Sequence, residues 1–430
     1  MIGSIDRQRR PQRGFVAECA GKIGIISNDF RVFRDSVVSP SGASKIGVLE
    51  PSVTTRGESV FYTGNFFAAR STDGTNFTHV SPYTLFPAPS GTSFCCDQVL
   101  IRDPGRDVTI WLLQYWKDGA GNNVQRIAVS TGSNGYANNN WTYYDFSAQT
   151  FGFASNNWLD FPHFGLSANS FYWTTNVFNG SNYAGSVMNR IPLTDLQGQG
   201  FINWRYRWED NTSSTMTPAQ TIGSGATTMY LARHLSNTQL RVYTWPESAL
   251  DPTFVTVNHE NFNSTTYTCN GPDGLNMCGR SSNRVRGGWL SGSELGFIWD
   301  AAQGQSGGFS NTNFPKPFVQ GVIMNAATKA VSSQPVIWSN TFAYQYPSVA
   351  PNSRGHLGLS LAYNSSTTDP GSLLGIRDDV ETSFSLYVAR NGTDGPGSNR
   401  WGDYLNVRPA SGNGNTWVAS GYTLQGACAV

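Results

Sequence analysis

Three observations predict an all-β chain folded as one domain. Charged residues make up only 13% of the 430 residues, while aromatics make up another 13%, with 13 Trp. A chain poor in Lys and Glu and rich in aromatic and β-branched residues disfavours helix and suits twisted sheet. Short apolar runs separated by Gly, Asn and Ser turns recur along the chain, and paired runs of this kind are a β-hairpin signature. These hairpins also start in similar ways at intervals of about sixty residues, roughly what four strands and their turns need.

The hairpins can be followed in order. "GVLEPSVTTRGESVFYTGNFFAARSTDG" begins near residue 47 and "CCDQVLIRDPGRDVTIWLLQYW" near 95. "WLDFPHFGLSANSFYWTTNVF" begins near 158, "PAQTIGSGATTMYLARH" near 218 and "RVRGGWLSGSELGFIWDAA" near 284. "AYQYPSVAPNSRGHLGLSLAY" follows near 343, and "WGDYLNVRPASGNGNTWVASGYT" near 401. Seven starts predict a single-domain, seven-bladed β-propeller over residues 15–430, behind a basic tail at 1–14. A six- or eight-bladed count is the alternative, because the fourth start matches least well. Trp111, Trp173, Trp289, Trp299 and Trp417 fall on second strands and are expected to pack between blades.

Four starts share a polar slot without gaps: Asp97, Asp160, Gln345 and Asp403. The first strand of a propeller blade is innermost, so the slot predicts a polar ring at one mouth of the central channel. Such a ring either caps strand ends or forms a site. Converging carboxylates repel, so they need a cation such as Ca²⁺, a shared proton or an arginine. Candidate catalytic residues are Asp97, Asp160, Asp403, His163 three residues beyond the slot, and Tyr172 on the next strand. Trp158 and Trp401, just before the slot, are candidates for stacking on a sugar. No His/Cys pair has the spacing of a structural zinc site.

Several stretches resemble the secreted, sialidase-like β-propellers. "ARSTDGTNF", with Ser71–Phe77 at its centre, is similar to a shortened Asp-box, a turn motif between outer strands. "WLDFPHFGLS", "RVRGGWLSGSELGFIWDAA", "YPSVAPNSRGHLGLSLAY" and "RWGDYLNVRP" extend the resemblance over most of residues 45–425. It implies a propeller fold and an extracellular, carbohydrate-directed role. The sialidase chemistry itself does not transfer. That family opens a strand with R-I-P, where this chain has "LEPSV". Arg56, Arg233, Arg286 and Arg377 are available to bind a carboxylate, but none sits in a matching motif, so sialic acid is not the expected substrate.

Six cysteines fit an oxidising compartment. Cys269 and Cys278 bracket a turn-rich loop, and Cys19 with Cys428 would staple the ends. Cys95 and Cys96 are then left as either a vicinal disulfide or two buried thiols. As a disulfide they would form a rigid apolar ledge for a ligand beside Asp97. A formal net charge of +1 argues against nucleic acid or an anionic membrane as partner. The expected role is a secreted, monomeric, carbohydrate-active enzyme, a glycoside hydrolase or polysaccharide lyase. Arg56, Arg286 and Gln345 would help Trp158, Trp401 and the cysteine ledge to bind substrate. A glycan-binding propeller without chemistry is the alternative.

Overall fold

The computed structural model describes residues 34–36, 38 and 48–429, apart from 211–214, 223, 224, 381, 398, 413 and 427. The predicted basic tail and Cys19 lie outside the described residues. The described residues form six antiparallel blades whose strands run in sequence from the innermost outwards. The inner strands are Ser52–Arg56, Phe94–Asp103, Asn157–Leu166, Thr217–Pro218, Val285–Ser291 and Ala343–Pro351. Five blades have four strands, and the fifth blade has five.

The expected count of seven is therefore corrected to six. Among the described residues, the seventh start supplies only a two-stranded hairpin, Asn406–Pro409 paired with Trp417–Ser420. This hairpin lies between the inner strands of blades 6 and 1 and closes the ring. After it the described residues form only a second short pairing, Leu424–Gln425 with Cys428–Ala429, which does not join the hairpin's sheet. The start of a blade was legible there, but a start alone does not make a blade.

The core is a set of layers between neighbouring blades rather than one centre. Phe61 and Trp111 meet between blades 1 and 2, Leu112 and Trp173 between blades 2 and 3, and Tyr172 and Trp245 between blades 3 and 4. Leu240 and Trp299 fill the next layer, and Trp289 and Leu361 the one after. Trp401, Leu405 and Tyr422 of the closing segment seal the last layer against Val53 and Ala362. Burial of these large rings contributes about 1.5–3 kcal/mol each. The alternation along the strands places them there: one face of each strand meets the previous blade and the other the next.

The inner strands are not regular. Pairing slips between Thr174 and Asn176 opposite Phe161–Pro162, and again over Gln345–Ser348 and Phe94–Gln98. Phe161 and Tyr346 adopt left-handed backbone, with φ of 56° and 60°, and each precedes a proline. Glu50, before Pro51, does the same at φ 46°. Left-handed backbone is costly for bulky residues and is kept where the surrounding fold overdetermines it.

Candidate functional site

The bulges converge on one acidic mouth. Asp97 is nearly buried, and its Oδ2 accepts a 2.9 Å hydrogen bond from the Tyr404 hydroxyl. Asp160, half-buried, accepts a 2.8 Å bond from the Gln114 amide, which is itself oriented by the Gln125 amide at 2.8 Å. Glu50 accepts from the Asp403 backbone N–H at 2.8 Å, and its second carboxylate oxygen is buried without a partner. Asp403 lies 3.8 Å from Arg284 and 3.7 Å from Arg286. Arg286 in turn donates to Asp300 Oδ2 at 2.9 Å and to the Asp403 carbonyl at 2.8 Å.

The acids influence one another. Desolvation, then the nearby Asp403, raises Glu50 from 4.5 to about 7, against the opposing pull of Arg400. Asp97 is pushed well above the usual carboxylate range by burial, then by Glu50 and Asp160. Asp160 is raised by desolvation, which outweighs the Gln114 hydrogen bond. The mouth thus holds protons that free carboxyls would lose near neutral pH. The environments of Asp160 and Asp403 differ: Asp160 accepts from the Gln114 amide and the Phe161 backbone and feels Arg284 at longer range, while Asp403 faces both Arg284 and Arg286 within 4 Å.

Aromatic rings floor this mouth. Phe161 and Tyr404 stack with centroids 4.8 Å apart, and Arg284 sits 4.4 Å over Phe161. His163 lies edge-on to Phe161 at 4.8 Å and lines the channel below it. Burial, then the neighbouring Arg286, Arg408 and Arg284, lower the imidazole to about 3, so it is neutral at physiological pH. Cys95 and Cys96 form a vicinal disulfide with Cα atoms 3.7 Å apart, and Cys96 Sγ lies 3.9 Å from the Gln114 amide nitrogen. This places the disulfide beside both Asp97 and the amide that holds Asp160. Cys269 and Cys278 form the second disulfide. The side chain of Cys428, like Cys19, lies outside the described residues. Among the described residues there is no cluster of three His, Cys, Asp or Glu arranged to hold a metal ion.

Of the residues singled out in the sequence, Asp97, Asp160, His163, Arg286, Asp403, Cys95 and Cys96 come together here. The others do not. Tyr172 is fully buried against Trp245, Met188 and Met229 in the layer between blades 3 and 4. Trp401 is 1% exposed and stacks on Tyr422 at 4.3 Å, so it has no face for a sugar. Trp158 is wedged between Phe178 at 5.0 Å and Lys117 at 4.4 Å. Arg56 pairs with Asp107 at 2.7 Å, at the opposite end of the inner strands. Gln345 is buried, its amide donating to the Tyr344 carbonyl at 2.6 Å.

Sequence reasoning missed Glu50, Gln114, Arg284, Asp300 and Tyr404. Two had a signal. Glu50-Pro51 repeats the residue-before-proline pattern of Phe161-Pro162 and Tyr346-Pro347. Asp300, a lone acid in the apolar run "LGFIWDAA", required a buried partner, which is Arg286. Gln114, Arg284 and Tyr404 are polar residues on or beside strands, with nothing in their own neighbourhood to mark them.

No family model and no curated protein matches the chain. Solved structures with a similar arrangement include a fucose-specific lectin from Aleuria aurantia (9% identity, 80% of this chain, 96% of that one, TM-score 0.40). A sialidase from Trypanosoma rangeli matches at 9% identity and TM-score 0.38, over 79% of this chain and 53% of that one. Prolyl endopeptidase is matched at 10% identity and TM-score 0.43, over 81% of this chain and 44% of that one. The chain thus spans about half the length of two of these three. Likenesses this distant carry no argument about chemistry. The propeller itself is read from the strand order.

Proposed function

We propose that the protein is a secreted, monomeric, carbohydrate-active enzyme that hydrolyses a polysaccharide or glycoside at the acidic mouth. The reading keeps the sialidase-like resemblance, including Ser71–Phe77 as a shortened Asp-box, but not sialic acid as substrate. One observation carries it: two half-buried carboxyls in one mouth, Asp160 held by neutral donors and Asp403 by two guanidinium groups. Asp160, desolvated and raised, is the general acid that protonates the leaving oxygen. Asp403, faced by Arg284 and Arg286, is the base or nucleophile on the other side of the sugar. Glu50 and Asp97 act as proton reservoirs that maintain this asymmetry, and the Cys95–Cys96 ledge offers an apolar surface beside it.

Elimination is the weaker reading. A lyase needs a base able to take a proton from carbon near neutral pH, and His163 is pushed down to about 3 while Tyr172 is remote. A screen of reducing-end release and of unsaturated-product absorbance over a panel of polysaccharides and aryl glycosides tests the proposal. Asp160→Asn and Asp403→Asn are each expected to lower turnover by about 10²–10⁴-fold with little change in folding. Variants that keep full turnover would remove the assignment. Saturable glycan binding with no cleavage anywhere in the panel would make the protein a lectin and overturn the hydrolytic reading.

A further inference from the structure

Beside the Phe161–Tyr404 stack, and lined in part by Tyr404, lies a pocket of a different character. Its walls include Val99, Pro162, Pro347 and Leu405, and into it project His163, Arg286 and Arg408. Arg286 is fully engaged: Nε on Asp300, one terminal nitrogen on the Asp403 carbonyl and the other on the Arg280 carbonyl at 3.2 Å. Arg408 meets only neutral acceptors. It is 8% exposed, its Nε donates to the Leu100 carbonyl at 3.3 Å, and the Asn406 amide oxygen accepts from Nε and a terminal nitrogen at 3.3 Å. Among the described residues Arg408 forms no ion pair, whereas Arg286, the other arginine lining this pocket, pairs with Asp300. His163 Nε2 is buried with no hydrogen-bond partner.

A buried cation without a counter-charge is among the costliest arrangements in a protein interior. The pocket holds one guanidinium with no carboxylate partner and one partnerless imidazole nitrogen, among apolar and neutral polar side chains, and the one acid of its lining, Asp403, faces Arg284 and Arg286. We propose that the interior of the channel binds one small inorganic monoanion of the halide class, held between the guanidinium of Arg408 and the N–H of His163. A single charge matches the single unpaired cation, and a dianion would reverse the imbalance. The stacked Phe161 and Tyr404 rings both meet His163 edge-on, at 4.8 and 5.7 Å, and add apolar surface beside it. Neutral imidazole suits the role, because it carries an N–H donor without adding a second positive charge. The anion would join the closing hairpin, which carries Arg408, to blade 3, which carries His163.

The test uses bromide, an anomalous scatterer, on the whole protein. Crystals grown with sodium bromide as the only halide are expected to show an anomalous peak in the channel between Arg408 and His163. Bromide peaks on the surface with none in the channel would overturn the proposal. In parallel, the melting temperature is followed as bromide replaces gluconate at constant ionic strength. It is expected to rise with bromide in the native chain, as linkage requires for an ion bound only by the folded state. Arg408→Gln is expected to lose that rise. An equal rise in both proteins would assign the effect to general salt action and sink the site. Should the variant not fold, the diffraction result decides alone. Neither outcome bears on the hydrolytic reading, which concerns the mouth.

Discussion

Glu50 shows how a single residue ties pH to stability. Its carboxyl titrates at about 7 in the fold against 4.5 as a free group, because burial and Asp403 disfavour the charge. A raised acid leaves stability intact below about pH 4.5 and erodes it as pH rises through 7, since the folded state binds the proton more tightly. The loss is up to roughly 3 kcal/mol at alkaline pH, and Asp97, shifted in the same direction, adds to it. Melting temperature measured from pH 4 to pH 9 should therefore fall, and Glu50→Gln should flatten the curve. A curve of unchanged slope would show that Glu50 does not titrate in this window. Arg286 makes the complementary case. Replacing it by Gln leaves buried Asp300 without its cation, and a loss of about 3–5 kcal/mol is expected in chemical denaturation.

At the scale of elements, the bulged inner strands do the positioning. A proline after Phe161 and Tyr346 removes one ladder donor where each strand slips out of register, and Pro51 after Glu50 sets the entry to the first strand. The Cys95–Cys96 disulfide sits at the equivalent slip in blade 2. Its expected contribution is local: the double Cys→Ser variant should lose little stability but lower turnover or glycan affinity several-fold, through added hydroxyls and a looser Asp97. Peptide mapping without reduction should find residues 95 and 96 closed to alkylation in the native chain. Two alkylated thiols, or a double variant with native kinetics, would reduce the ledge to ordinary core.

For the whole molecule, closure is the decisive contact. The ring is completed by a hairpin rather than a seventh blade, and Trp417 of that hairpin lies flat on Gly358 while its indole N–H donates to the Ala350 carbonyl at 2.9 Å. A Cβ at Gly358 would stand 2.8 Å from three indole ring atoms. Gly358→Val is therefore expected to cost about 1–3 kcal/mol by overpacking and to loosen the seam between blades 6 and 1. Hydrogen exchange should rise first in Asn406–Pro409 and Ser52–Arg56, and a uniform rise across all blades would argue against a distinct seam.

Sequence alone determined the all-β class, the recurring hairpins, the blade starts, the Trp residues between blades and the shared slot of Asp97, Asp160 and Asp403. These are local or periodic properties, and periodicity survives in one dimension. Blade number, the partners of the acids and the fate of Trp158, Trp401 and Tyr172 depended on tertiary structure. Whether a strand start grows into four strands depends on what its neighbours leave to be covered. Whether an aromatic faces solvent or a layer depends on which blade is packed against it. Glu50 and Asp403 are 353 positions apart yet share a hydrogen bond, because ring closure brings the first strand beside the last hairpin. The acidic mouth exists only once the ring is closed.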